Sequence, residues 1–151
     1  NTITFQGEVT DQTCAVTING NAVSPVVLLP TVSISDFASS TTAGATNFEV
    51  GVSGCAVETT DREISTVFVG NQVTTSGNLG NTGSAGDVEI QILDTTGTVI
   101  DFTSYFTGDA DLTLTAGETS ASANYTAQYY SAGTPTAGDV TASLQYAVTY
   151  L

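Results

Sequence analysis

The chain is built from short runs in which apolar and polar residues alternate, separated by Gly, Asn, Asp and Ser. A period of two marks strands with one buried and one wet face, and it leaves little room for helices. Composition agrees: Thr, Val, Ser, Gly and Tyr are abundant and strong helix formers are thin. The runs predict strands at 2–10, 13–19, 24–29, 46–53, 62–69, 87–93, 98–101, 111–115, 121–130 and 139–150. VSISDFASS (32–40) is the best place for a short helical turn. GNQVTTSGNLGNTGSAG (70–86) reads as a loop or a poorly ordered excursion that cannot build a core by itself. Strands about ten residues apart in a chain of this length predict an all-β sandwich of Greek-key type. No repeat, linker or charge block divides it.

The first and last runs stand out. In NTITFQGEV, Ile3, Phe5, Gly7 and Val9 share one face, while Thr2, Thr4, Gln6 and Glu8 share the other. A glycine therefore interrupts the apolar face. In GDVTASLQYAVTYL, Val140, Ala142, Leu144, Tyr146, Val148 and Tyr150 share a face, and Leu151 follows. Two amphipathic terminal strands can pair with each other inside one sandwich, or each can seek a partner elsewhere.

The charge is extreme. Fifteen carboxylates face a single basic side chain, Arg62, and with no Lys or His the net charge is −14. A partner recognised through phosphate neutralisation is thereby disfavoured, so no nucleic-acid role is expected. Such acidity favours solubility and mutual repulsion. No apolar run approaches the roughly 20 residues of a membrane-crossing helix. The absence of Met implies that a leader was removed, and a secretory signal peptide is the expected one. Cys14 and Cys55 then meet an oxidising compartment, where an even count implies a bridge. A metal site lacks the histidines to complete it.

Other constellations carry less. Asp109, Asp111 and Glu118 offer oxygens without the spacing of a Ca²⁺ loop. Asp94, in LDTTG, reads as a turn residue bonding nearby backbone. Glu58 and Asp61 form a carboxylate pair, but no aromatics flank them to hold a sugar. Serines and threonines lack a histidine to activate them. The six tyrosines (105, 125, 129, 130, 146 and 150) could form a sugar platform, though packing is the commoner role on strands. No catalytic, metal or cofactor site is expected.

The order and spacing of several fragments resemble a known family. FQGEV followed by TC (5–9, 13–14), FEVGVSGC (48–55), VEIQILDTTGTVI (88–100), ANYTAQYYSAG (123–133) and the penultimate Tyr150 together look like a type 1-like chaperone–usher pilus subunit. The resemblance covers almost the whole chain and implies a major shaft pilin. Its implied fold is an immunoglobulin-like sandwich lacking the last strand, with residues 1–12 a donor-strand extension and 13–151 the pilin domain. Ile3, Phe5 and Val9 would enter the groove of the next subunit, and Gly7 would sit where that core leaves no room. The groove would lie beside the carboxy-terminal strand of Val140, Ala142, Leu144, Tyr146, Val148, Tyr150 and Leu151. The implied partners are identical subunits, a periplasmic chaperone that lends the missing strand and holds the Leu151 carboxylate, an outer-membrane usher, and tip adhesin or adaptor subunits. The implied product is a surface filament for adhesion and biofilm formation, assembled without a cofactor. The competing expectation is a secreted, self-complete β-sandwich that binds carbohydrate, with residues 2–10 folded into its own core.

Overall fold

A computed structural model describes residues 1–150. Eight strands form: β1 (Ala15–Ile18), β2 (Thr42–Ser53), β3 (Ser65–Gly70), β4 (Leu79–Gly80), β5 (Glu89–Leu93), β6 (Phe106–Thr107), β7 (Ala121–Tyr130) and β8 (Leu144–Thr149). They make two antiparallel sheets, one in the order β1-β2-β7-β5-β4 and the other β6-β3-β8. The expected helical turn is a 3₁₀ turn at Ile34–Phe37. Ser33 caps it by accepting from the Ser35 N–H, and Asp36 reaches back to the Ser33 N–H.

Alternation decides which side chains meet between the sheets. Phe48, Val50 and Val52 of β2 and Tyr125 and Ala127 of β7 point inward and are buried. Ile90 and Ile92 join them from β5, and Phe68 faces them from β3. The centre is aromatic: the Phe68 ring meets Tyr125 edge-on at 5.1 Å and stacks on Phe106 at 5.9 Å. Burying Tyr125 requires a partner for its hydroxyl, which donates to Asp111 Oδ2 at 2.8 Å. The same carboxylate accepts from the Thr66 hydroxyl at 2.6 Å and the Thr66 N–H at 2.9 Å. Asp111 thus serves the core rather than a cation loop, and among the described residues no cluster of metal-ligating side chains forms. Burial first, then the negative charge of Asp111 and its hydrogen bond, pushes the Tyr125 phenol well above its ordinary value.

The Cys14–Cys55 disulfide ties the chain just before β1 to the end of β2. In β2 a bulge lies between Ala43 and Thr46. Gly44 there has φ +68, and a Cβ would lie 2.8 Å from the Tyr129 ring, so conformation and space both call for glycine. Asp94 accepts from the N–H groups of Thr96 and Thr98 and from the Thr96 hydroxyl, which makes it the turn residue expected.

Four expected strands need correction. Residues 2–10 form no strand, because no sheet edge of this chain is aligned beside them. Residues 24–29 keep an alternating burial but have no ladder partner. Residues 98–101 and 111–115 are held by single bridges, Leu93 with Val99 and Arg62 with Leu114, so their apolar side chains are buried without a continuous ladder. The 70–86 stretch is not a loose excursion: Asn78 and Leu79 are buried, β4 lies within it, and Thr82 and Ala85 donate to Thr141 and Asp139. Partners distant in sequence supply the core that this stretch lacks.

Candidate functional site

A cleft of about 520 Å³ opens between the sheets along one side of the sandwich. Phe48, Phe68, Ile90 and Ile92 form its floor. One wall is the carboxy-terminal segment, where Val140, Ala142, Leu144 and Tyr146 line the cleft and the residues between them face water. The opposite wall is residues 25–29, whose Pro25, Val27 and Leu29 are half-buried toward the cleft. The cleft is largely apolar, yet its walls are only half-covered.

Both walls also have unused backbone. β8 is the edge of its sheet, bonded only to β3. Residues 25–29 make no backbone–backbone hydrogen bond among the described residues. An apolar slot flanked by unpaired backbone is the template for an added strand, and left open it invites aggregation.

The other expected site residues fall in two places. Val148 and Tyr150 continue the half-buried face of the carboxy-terminal strand past the cleft, packed against the core. Leu151 lies outside the described residues. Ile3, Phe5 and Val9 are 80%, 89% and 100% exposed, and nothing lies within 4 Å of where a Gly7 Cβ would be. This apolar face stays out of the chain's own cleft. It runs over the pole of the sandwich, where Glu8 accepts from the Tyr150 N–H and the Thr149 hydroxyl, each at 2.7 Å.

The 25–29 wall is the part of the site that sequence reading did not assign. Its outward residues Val26 and Leu28 are also apolar, at 82% and 86% exposed. With both faces apolar, the period of two does not say which face looks into a cleft.

Comparison with known proteins places the chain in a family. The family model described as fimbrial protein matches residues 3–151. The F17 fimbrial protein of Escherichia coli is 37% identical over 98% of this chain and 86% of its own length. The major fimbrial subunit SMF-1 of Stenotrophomonas maltophilia is 35% identical over 99% of this chain and 91% of its own. The type I fimbria protein and antigen of Burkholderia pseudomallei superposes with a TM-score of 0.60 at 27% identity, covering 92% of this chain and 95% of that one. The P pilus rod subunit PapA superposes at 0.67 with 17% identity, covering 91% and 99%. The sandwich is therefore the immunoglobulin-like fold of chaperone–usher pilins. With a matching family model over almost its full length and relatives above one-third identity, the chain belongs to the fimbrial protein family and is a structural pilus subunit.

Proposed function

We propose that copies of this subunit join head to tail, each laying Ile3, Phe5, Gly7 and Val9 into the cleft of its neighbour. The observation that carries the reading is one chain holding both an uncovered apolar segment and an uncovered apolar slot that do not fill each other. Their lengths correspond. Positions 3, 5, 7 and 9 alternate over the same seven-residue span as the lining positions 140, 142, 144 and 146. Three buried apolar side chains contribute roughly 1.5–3 kcal/mol each. Each new backbone hydrogen bond adds about 0.5–1.5 kcal/mol. Donor and acceptor are different surfaces, so the contact does not close on itself and a filament grows.

The open cleft needs a temporary cover before assembly, which is the role of a periplasmic chaperone, with the usher exchanging the lent strand for the next subunit's. Residues 1–12 act as the extension and 13–151 as the receiving domain. A shaft role is supported by the likeness to the major fimbrial subunit SMF-1 of Stenotrophomonas maltophilia, 35% identical over 99% of this chain. A self-complete carbohydrate-binding module would place residues 2–10 in its own core, and their exposure counts against it.

The test is gel migration of native filaments in SDS, with and without boiling. The parent should give a ladder that collapses to one band near 15.4 kDa on boiling, because strand release is slow. Gly7→Leu should fold normally, since its own subunit leaves that side open, yet give no ladder. A Gly7→Leu ladder equal to the parent's would refute strand donation.

A further inference from the structure

The extension has a second face, and from Gln6 onward it is engaged. Every even-numbered side chain from 6 to 12 is hydrogen-bonded to the body of its own subunit. Gln6 Nε2 donates to the Tyr105 hydroxyl at 3.1 Å. Glu8 accepts from Thr149 and Tyr150 at the end of β8. The Thr10 hydroxyl oxygen accepts from Arg62 Nη2 at 3.4 Å. Gln12, only 3% exposed, donates to the Ala56 carbonyl at 2.9 Å and to Glu58 Oε2 at 2.8 Å, and accepts from the Ala56 N–H at 3.0 Å. Arg62, the one basic side chain, also bonds Glu58 at 3.2 Å, and its guanidinium lies 5.9 Å from the centre of the Tyr150 ring. The apolar odd-numbered residues point the other way.

We infer that these even-numbered residues form a polar seam that fixes the direction in which the extension leaves its own subunit, and so sets the angle between successive subunits of the shaft. The inference rests on strand donation. Side chains two apart face the same way, so when positions 3, 5, 7 and 9 sit in a neighbour's cleft, positions 6, 8 and 10 remain turned away from it. Only Thr10 and Asp11 then lie between the donated Val9 and the buried Gln12. The three steps from Val9 to Gln12 span at most about 11 Å, so the neighbour is held close against this pole. A joint that short is free to swing only through the backbone torsions the seam restrains. Glu8, Thr10 and Arg62 are therefore positioning residues for the joint, and they take no part in filling the cleft.

The experiment compares parent filaments with the double variant Glu8→Ala/Thr10→Ala and with Glu8→Gln. Ladders in unheated SDS report strand donation, and the persistence length of negatively stained filaments reports the joint. The double variant should keep the parent's ladder while its persistence length falls at least twofold and the angles between successive subunits spread. Glu8→Gln should stay near the parent, because its amide oxygen can still accept from the Tyr150 N–H and its NH₂ can still meet the Thr149 hydroxyl. A double variant as stiff as the parent overturns the seam, and so does a Glu8→Gln filament as soft as the double variant. Loss of the ladder in the double variant alone also overturns it, by making the wet face part of strand donation. A parent without a ladder removes strand donation itself.

Discussion

Phe5→Ala separates the subunit's own stability from the strength of the filament. The ring is 89% exposed in the isolated subunit, so its removal should shift that subunit's unfolding by no more than about 0.5 kcal/mol. In the proposed donation to a neighbour's cleft the same ring would be buried against apolar side chains. Trimming a packed Phe to Ala costs about 3–5 kcal/mol, the lost transfer energy plus the cavity left behind. At 1.4 kcal/mol per factor of ten, the donated strand should be released roughly 10² to 10⁴ times faster if the whole loss falls on release. The assay is the half-life of multimers in SDS over a series of temperatures, read from unboiled gels. Thr4→Ala is the control, because Thr4 lies on the wet face of the same strand. Urea unfolding of monomers should not distinguish the variants. Phe5→Ala multimers that last as long as the parent's would refute the assignment of this face to the cleft, and so would a Thr4→Ala effect of equal size.

Three further outcomes follow from the core and its crosslink. Asp111→Ala leaves the Thr66 N–H, the Thr66 hydroxyl and the Tyr125 hydroxyl without their acceptor, and should lower monomer stability by about 3–5 kcal/mol in urea titration, with Asp111→Asn losing less. The raised Tyr125 phenol gives a stability contribution that is complete below the unfolded value of about 10 and is lost as pH climbs beyond it, so the parent should lose stability above pH 10 more steeply than Tyr125→Phe in paired unfolding titrations. Replacing Cys14 and Cys55 by Ser opens a loop of 41 residues and should cost roughly 4 kcal/mol in the same titration, with reduction of the parent giving a similar loss.

Where one face of a strand is buried along its length, alternation alone located it. The 121–130 run coincides with β7, and 46–53 falls inside β2, where Phe48, Val50 and Val52 mark the inward side. Alternation likewise put Val140, Ala142, Leu144 and Tyr146 on one face, and that face lines the cleft, but the reading of a groove there came from the family resemblance. Short elements were not. β4 and β6 are two residues each and exist because β5 and β3 lie beside them, which no local pattern encodes. Leu112 and Leu114 are buried without a continuous ladder, so an alternating run there reads as a strand that the backbone does not complete. The wall at 25–29 was hidden by apolar residues on both faces. Gln12 was hidden differently: a buried glutamine signals nothing until the backbone of Ala56 and the carboxylate of Glu58 are placed around it.

Arg62 also bears on how a filament of this protein survives digestion. Trypsin-like proteases cut after Lys or Arg, so each copy offers them one peptide bond, Arg62–Glu63. A protease must draw that backbone out as an unpaired, extended strand. Here the Arg62 N–H and carbonyl are both bonded to Leu114 at 2.8 Å, and Leu114 is completely buried. The side chain that would fill the protease's specificity pocket is meanwhile held by Glu58 and Thr10. Cleavage therefore has to wait for the bridge to open into the core, which ties the lifetime of the shaft in a protease-rich setting to unfolding of the subunit rather than to access at its surface.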